Sequence, residues 1–245
     1  MEPDYLIQAD AAGVAVLDAI KRGTSSIFWG DNQGNVFNNG SMFFLDTGVT
    51  LLAVTARHVY ESYLECRRDI PGPELVCQID GMHFDPVSRL IAVGTDIDIT
   101  TFHITAEELR CLRRITTPWP PVIPEVGNGV LVCGLPGETR LTPRPGLLDI
   151  GYSTALMRVD SVTDRTISMM MQPNEEMIDI LGIGLPPPSR DIGGMSGGPV
   201  AAVVTSTSGI FSWAISGVIY AGHQSFDIIQ AMRADLIRPD GSLIE

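Results

Sequence analysis

The chain has 245 residues, of which 44% are hydrophobic and 18% charged, enough for one large or two small domains with a well-buried core. A net charge of −13 argues against nucleic acid or an anionic membrane surface as a partner, because phosphate recognition needs clustered Lys and Arg. No window approaches 18 uninterrupted apolar residues, so no transmembrane helix is expected.

The N-terminal MEPDYLIQAD carries acids and no basic stretch, which predicts no secretory signal and a cytoplasmic protein. Leu6, Ala9, Val16 and Ile20 share one face at helical spacing and Gly23 follows as a stop, so residues 1–23 read as a helical extension packed across the body. From Ser25 the pattern becomes short β-type runs at 25–29, 41–46, 49–55, 74–84, 88–94 and 98–104, with turn signals such as GDNQGN, NNG, DTG and DGM separating several of them. Within this half, HVYESYLE predicts a short helical turn. Residues 24–115 thus read as one β unit.

Residues 116–128, TTPWPPVIPEVGN, hold four prolines without any period and predict a stiff linker. A second β set follows at 129–135, 147–159, 162–172, 199–205 and 211–220, giving a unit over 129–224. In the remainder, 225–245, Ile228, Met232 and Leu236 recur every four residues behind Ser225 as a candidate N-cap, which predicts a C-terminal helix. The fold class is all-β. Closely spaced short strands imply sandwiches or barrels, and no sequence repeat points to a solenoid.

Cys66, Cys77, Cys111 and Cys133 lie 11, 34 and 22 residues apart and form no CxxC pair, so buried thiols in a reducing compartment are expected. His83, His103 and His223 have no metal-ligand spacing and no HExxH is present; neither a metal nor a cofactor is expected.

The densest feature is DIGGMSGGPV at 191–200, with four glycines around one serine. A phosphate-cradling loop would need a lysine and a following helix, whereas Pro199 and an apolar strand follow here. A nucleophile elbow would sit between strand and helix with its acid and histidine downstream, yet only 49 residues remain and His223 is the single histidine among them. The third reading is the nucleophile loop G-x-S-G-G-P of a serine protease, a pattern expected by chance in on the order of one chain in a few thousand. The bland alternative is a flexible glycine loop.

Partners elsewhere decide among these. TARHV places His58 directly after a β run, and DIDITTF supplies Asp98 at the start of another, giving the order His58, Asp98, Ser196 with gaps of 40 and 98 residues. Asp96 competes with Asp98 for the acid role. In its TARHV, DITTF and GMSGGPV boxes the chain resembles the trypsin/chymotrypsin-like serine proteases; VLVCGLPG and WAISGVIYAG also resemble strands of that family's second barrel. The resemblance covers roughly residues 24–237. It implies two six-stranded antiparallel β-barrels of Greek-key type, flanked here by the N- and C-terminal helices.

The resemblance also implies roles for these residues. Ser196 would be the nucleophile, His58 the base that takes its proton and later protonates the leaving amine, and Asp98 the group that fixes the imidazole tautomer. The backbone N–H groups of Gly194 and Ser196 would form the oxyanion hole, a contribution of about 3–4 kcal/mol per donor. Met195 replaces the Asp that in many secreted members pairs with a newly cut N-terminus, and Val59 replaces a cysteine. In these respects the chain is closer to bacterial high-temperature-requirement-type proteases, which implies a bacterial origin, although no PDZ-like domain follows.

Tyr220 stands where relatives carry a serine supporting the Asp, and the short stretch from Gly222 to Phe226 implies an altered specificity pocket. Arg190, six residues before Ser196, stands where pocket charge is often set: it would favour an acidic residue before the scissile bond, or would simply pair with Asp191 or another surface acid. Arg190, Tyr220 and Gly222 are thus the candidate substrate-binding residues. The expected activity is serine endopeptidase action on a protein or peptide substrate, either constitutive or as the effector part of an intracellular system with an activating protein partner. The competing expectation is an inactive protease-like module that binds peptide by strand addition.

Overall fold

Each half of the sequence builds its own antiparallel β system. The structure, a computed structural model, describes residues 11–70, 72, 74–144, 147–170, 192–205, 211–223 and 228–245. The first half contains β1 (Thr24–Asp31), β2 (Val36–Asp46), β3 (Leu51–Thr55), β4 (Leu75–Ile79), β5 (Met82–His83), β6 (Leu90–Val93) and β7 (Thr100–His103), in the order β5-β4-β1-β2-β3-β7-β6. This seven-stranded sheet, with β5 and β6 at its ends, replaces the expected six-stranded first barrel. The added strand comes from the Asp-Gly turn inside residues 74–84. Asp80 and Gly81 take φ of 47° and 88°, and the run folds back on itself as a hairpin.

Helices decorate this half more than expected. The helical turn predicted after TAR is a helix of 13 residues, α2 (Arg57–Asp69), whose Val59, Tyr60 and Tyr63 are buried. The run at 88–94 begins as a helical turn over Pro86–Arg89 before β6 starts. A further helix, Ala106–Leu112, was not expected. It opens on a capping box in which Thr105 and Glu108 exchange side-chain and backbone bonds, and this T-x-x-E signature is present in the sequence.

In the second half, β8 (Gly129–Gly134), β11 (Ser153–Val162), β12 (Thr166–Met170), β13 (Pro199–Thr205), β14 (Phe211–His223) and β15 (Ile228–Arg233) close into a six-stranded barrel in the order β11-β12-β15-β14-β13-β8. The pair β9 (Arg140–Arg144) and β10 (Leu147–Ile150) forms a separate hairpin, so the run at 147–159 is two strands broken at Gly151–Tyr152. The predicted C-terminal helix is a strand. β15 pairs with β12 on one side and β14 on the other and completes the barrel, followed by a single 3-10 turn at Ala234–Leu236. The spacing of four that suggested a helix is also an even number, so Ile228 and Met232 fit a period of two. Ile229 and Ala231 then fill the barrel core.

The N-terminal helix is present as α1 (Ala11–Arg22), and its expected beginning at residues 5–10 lies outside the described residues. Leu17 and Ile20 bury against Leu131, Cys133 and Ala201 on the outside of the second barrel. The linker is tied to both halves: Thr117 N–H donates to Phe44 O, and Val122 N–H to Ile215 O.

The two halves share a core. Along β2, Met42 and Phe44 face the interior of the first half, while Phe43 and Leu45 face the second half and meet Ile215, Val218 and Met232. A strand buried on both faces reads as a continuous apolar run, as MFFL does.

Candidate active site

β3 ends at Thr55, and Ala56 in extended conformation turns the chain into α2, which places His58 at the second position of that helix. Asp98 projects from the loop between β6 and β7. Its Oδ1 accepts the His58 backbone N–H at 3.0 Å, and its Oδ2 lies 2.8 Å from His58 Nδ1. Burial pushes the Asp98 carboxyl up, but the bond from the His58 ring, the His58 charge, the His58 N–H and the nearby Arg57 charge outweigh it and hold the group below its ordinary value. An ionised Asp98 assigns the proton to Nδ1 and leaves Nε2 as the free base position. The Asp98 side chain is 15% exposed and the His58 side chain 44%. Asp98, and not Asp96, meets the histidine; the Asp96 backbone N–H donates instead to Glu245.

Ser196 lies in a tight loop, 192–198, between the halves. Gly197 has φ of +87°, and a Cβ there would overlap Thr55 Oγ1 and Ser41 O and lie 3.0 Å from Ala56 N. This close approach to Thr55–Ala56 brings the serine loop against the chain segment that carries His58. Ser196 Oγ makes no hydrogen bond among the described residues.

The loop's peptide groups are anchored in turn. Met195 N–H donates to Ile192 O at 3.1 Å, Gly137 N–H to Gly193 O at 2.7 Å, Ser41 Oγ to Gly194 O at 2.7 Å and Gly198 N–H to Met195 O at 2.9 Å. Ser41 N–H donates to Ser196 O at 2.8 Å, and Gly197 N–H to Ile219 O at 2.7 Å. A trans peptide points its C=O and N–H in opposite directions. Anchoring Gly193 O therefore turns the Gly194 N–H away from Gly137, and anchoring Met195 O turns the Ser196 N–H away from Gly198. Neither N–H has an acceptor among the described residues. Gly194 takes φ of +98°, a backbone conformation that disfavours any side chain.

Met195 is 2% exposed and packs in the second barrel's core, with Gly134 so close that a Cβ there would lie 2.9 Å from Met195 Cα. A hydrophobic plug thus lies where the sequence resemblance pointed to a missing aspartate.

The candidate substrate residues fare differently. Tyr220 packs at the joint of the two halves, and its hydroxyl donates to Gln230 Oε1 at 3.2 Å; no hydrogen bond to Asp98 is present. Burial, and then the Asp98 charge, push the Tyr220 phenol up, so the ring lies within reach of that charge. Gly222 is exposed, and a Cβ there would meet the tip of the Ile192 side chain, which would have to shift to admit it. Arg190 and Asp191 lie outside the described residues. Sequence reasoning missed Ser41 and Gly137, which anchor the serine loop. A lone Ser and a lone Gly carry no motif signal.

No group of three or more potential metal ligands occurs among the described residues. All four cysteines are free; Cys77 and Cys133 are buried as expected, whereas Cys66 is half-buried and Cys111 exposed. Among the described residues no helix is long and apolar enough to cross a membrane.

No protein-family model matches the sequence, and neither does any curated protein sequence. Solved structures do match. The serine endoprotease of Yersinia pestis superposes with a TM-score of 0.54 over 93% of this chain at 13% identity, and the chain spans 64% of that protein's length. The Rv3671c protease of M. tuberculosis in its active form superposes with a TM-score of 0.51 over 92% of this chain and 83% of its own, at 14% identity. At such identities the likeness is one of fold: the chain shares the fold of these serine proteases.

Proposed function

We propose that the protein is a serine endopeptidase that cleaves peptide bonds through an acyl-enzyme, with His58, Asp98 and Ser196 as its triad. The observation that carries this reading is the hydrogen-bonded Asp98–His58 pair beside a serine loop whose Gly194 and Ser196 N–H groups are unpaired. His58 Nε2 takes the proton of Ser196 Oγ as the oxygen attacks the carbonyl carbon, and the two N–H groups receive the developing oxyanion. His58 then passes that proton to the leaving amine, and water, activated by the same histidine, hydrolyses the ester. Asp98 keeps the proton on Nδ1 and stabilises the imidazolium.

The substrate is an extended protein or peptide segment. Beyond Val218, β14 has no strand pairing on its β13 side among the described residues, which leaves an edge at residues 220–222 beside the serine loop. Strand addition there would present the scissile bond to Ser196. The four free thiols accord with a reducing compartment such as a cytoplasm.

The absence of a bond from Ser196 Oγ favours a second reading, a peptide-binding module that does not cut. Catalytic hydrogen bonds are often long before substrate arrives and tighten in the complex, so the peptidase reading is preferred. A fluorophosphonate probe separates the two. The wild type is expected to become labelled at Ser196 and Ser196→Ala to stay unlabelled while keeping its melting temperature. A folded wild type that neither labels nor cleaves casein overturns the peptidase reading, and a strong gain of labelling on adding a cell extract points to a protein activator.

A further inference from the structure

Ser41 lies on β2 in the first half, far in sequence from the loop it contacts, and is fully buried. All of its polar groups are used. Its Oγ donates to Gly194 O at 2.7 Å and accepts the Leu135 N–H at 2.9 Å; its N–H donates to Ser196 O at 2.8 Å; its carbonyl accepts the Thr55 hydroxyl at 2.6 Å. Two of these bonds hold the Gly194–Met195 and Ser196–Gly197 peptides. The peptide between them, Met195–Ser196, carries the Ser196 N–H.

We infer that Ser41 is a positioning residue for the oxyanion hole, latching the serine loop of the second half in its working shape from the first half; this rests on the peptidase reading above. With its Gly194 carbonyl held by a hydroxyl from β2, the loop cannot turn that carbonyl toward the reacting centre. With its Ser196 carbonyl held by the same residue, the nucleophile's backbone is tied to the strand next to β3, which leads into His58. A methionine before the nucleophile can make no ion pair, and Met195 only plugs the loop from below. The polar clamp above it is Ser41. A buried hydroxyl with donor and acceptor both satisfied also explains why serine is tolerated in so apolar a strand.

The test is the rate of phosphonylation by a fluorophosphonate, resolved into the chemical constant kinact and the binding constant KI, for wild type, Ser41→Ala and Ser41→Cys. In this reaction Ser196 Oγ displaces fluoride from phosphorus, and the phosphoryl oxygen occupies the oxyanion site. Losing one oxyanion donor costs about a hundredfold to a thousandfold in comparable sites, and a loosened loop costs less, so kinact is expected to fall about tenfold to a hundredfold with KI within about twofold. Ser41→Cys, whose thiol bonds weakly, is expected to fall between the two. A merely structural role would lower the melting temperature and the fraction of molecules that label, leaving kinact of the labelled molecules unchanged, and that result overturns the inference. If Ser41→Ala does not fold, kinact of Ser41→Cys decides on the same criterion. A wild type that does not label at Ser196 removes the peptidase reading itself, whereas a wild type and variants that label equally fast remove only the role of Ser41.

Discussion

Asp96 donates its backbone N–H to Glu245 Oε2 at 2.9 Å, and Thr95 donates to Oε1 of the same carboxylate at 2.9 Å. The tail that follows β15 thus reaches across to the first half and grips the loop that carries Asp98. The bonds from Asp96 and then Thr95 hold the Glu245 carboxyl below its ordinary value near 4.5. A carboxylate with a depressed folded-state pKa contributes stability above its unfolded value and loses it as pH falls through the folded one. Glu245→Gln is therefore expected to be less stable than wild type at pH 7 by under about 1 kcal/mol, because the group is almost fully in water. The difference should shrink as pH falls below about 4. Urea unfolding of both proteins at pH 7 and pH 3 checks this; a gap that widens in acid contradicts it.

Asp98→Asn keeps the size of the side chain and removes its charge. The amide then no longer selects the Nδ1–H tautomer, and Nε2 loses its role as a base. On the peptidase reading, labelling and turnover fall on the order of ten-thousandfold with the fold intact. Circular dichroism alongside probe kinetics would show it, and a loss below tenfold would move the acid role elsewhere.

Gly197→Ala places a methyl group where Thr55, Ser41 and Ala56 already stand, at a φ of +87°. Strain and overlap together predict a loss of at least about 2 kcal/mol. Because Ser41 O and Ala56 N are backbone atoms, relief requires moving the serine loop, so labelling of the surviving folded molecules should also fall. A normal melting curve with wild-type labelling would refute the close approach.

Met195→Asp tests whether the loop can accept the acid that the sequence resemblance calls for. The side chain is 2% exposed among Val132, Val200 and Ile219, with no cation described beside it. Burying an unpaired carboxylate predicts a loss of several kcal/mol at neutral pH, eased on acidification as the group is protonated. A variant as stable as wild type at pH 7 would mean that a partner charge reaches this position.

Strand patterns were legible in both halves: SMFFLD and PVAAVVT each read as a strand and each is one. The error at 225–237 arose because an apolar spacing of four satisfies both helix and strand; the choice was made by the open edges of β12 and β14, which the sequence does not display. The capping box at Thr105 was legible and unread.

His58, Asp98 and Ser196 could be nominated from local boxes, because a nucleophile loop needs glycines around its serine and those leave a recognisable string. Local composition also decided the two β halves and the Pro-rich tie between them. What only the tertiary structure decided was which acid faces His58, what holds the serine loop and how the barrel closes. Asp98 outcompetes Asp96 through the turn of a loop, Ser41 and Gly137 reach Gly194 and Gly193 from 153 and 56 positions away in sequence, and β15 is a strand because the edge of β12, remote in sequence, needs it as well as that of β14. Each of these is a hydrogen bond between segments remote in the chain, and such bonds depend on where the backbone arrives, which no local pattern of residues encodes.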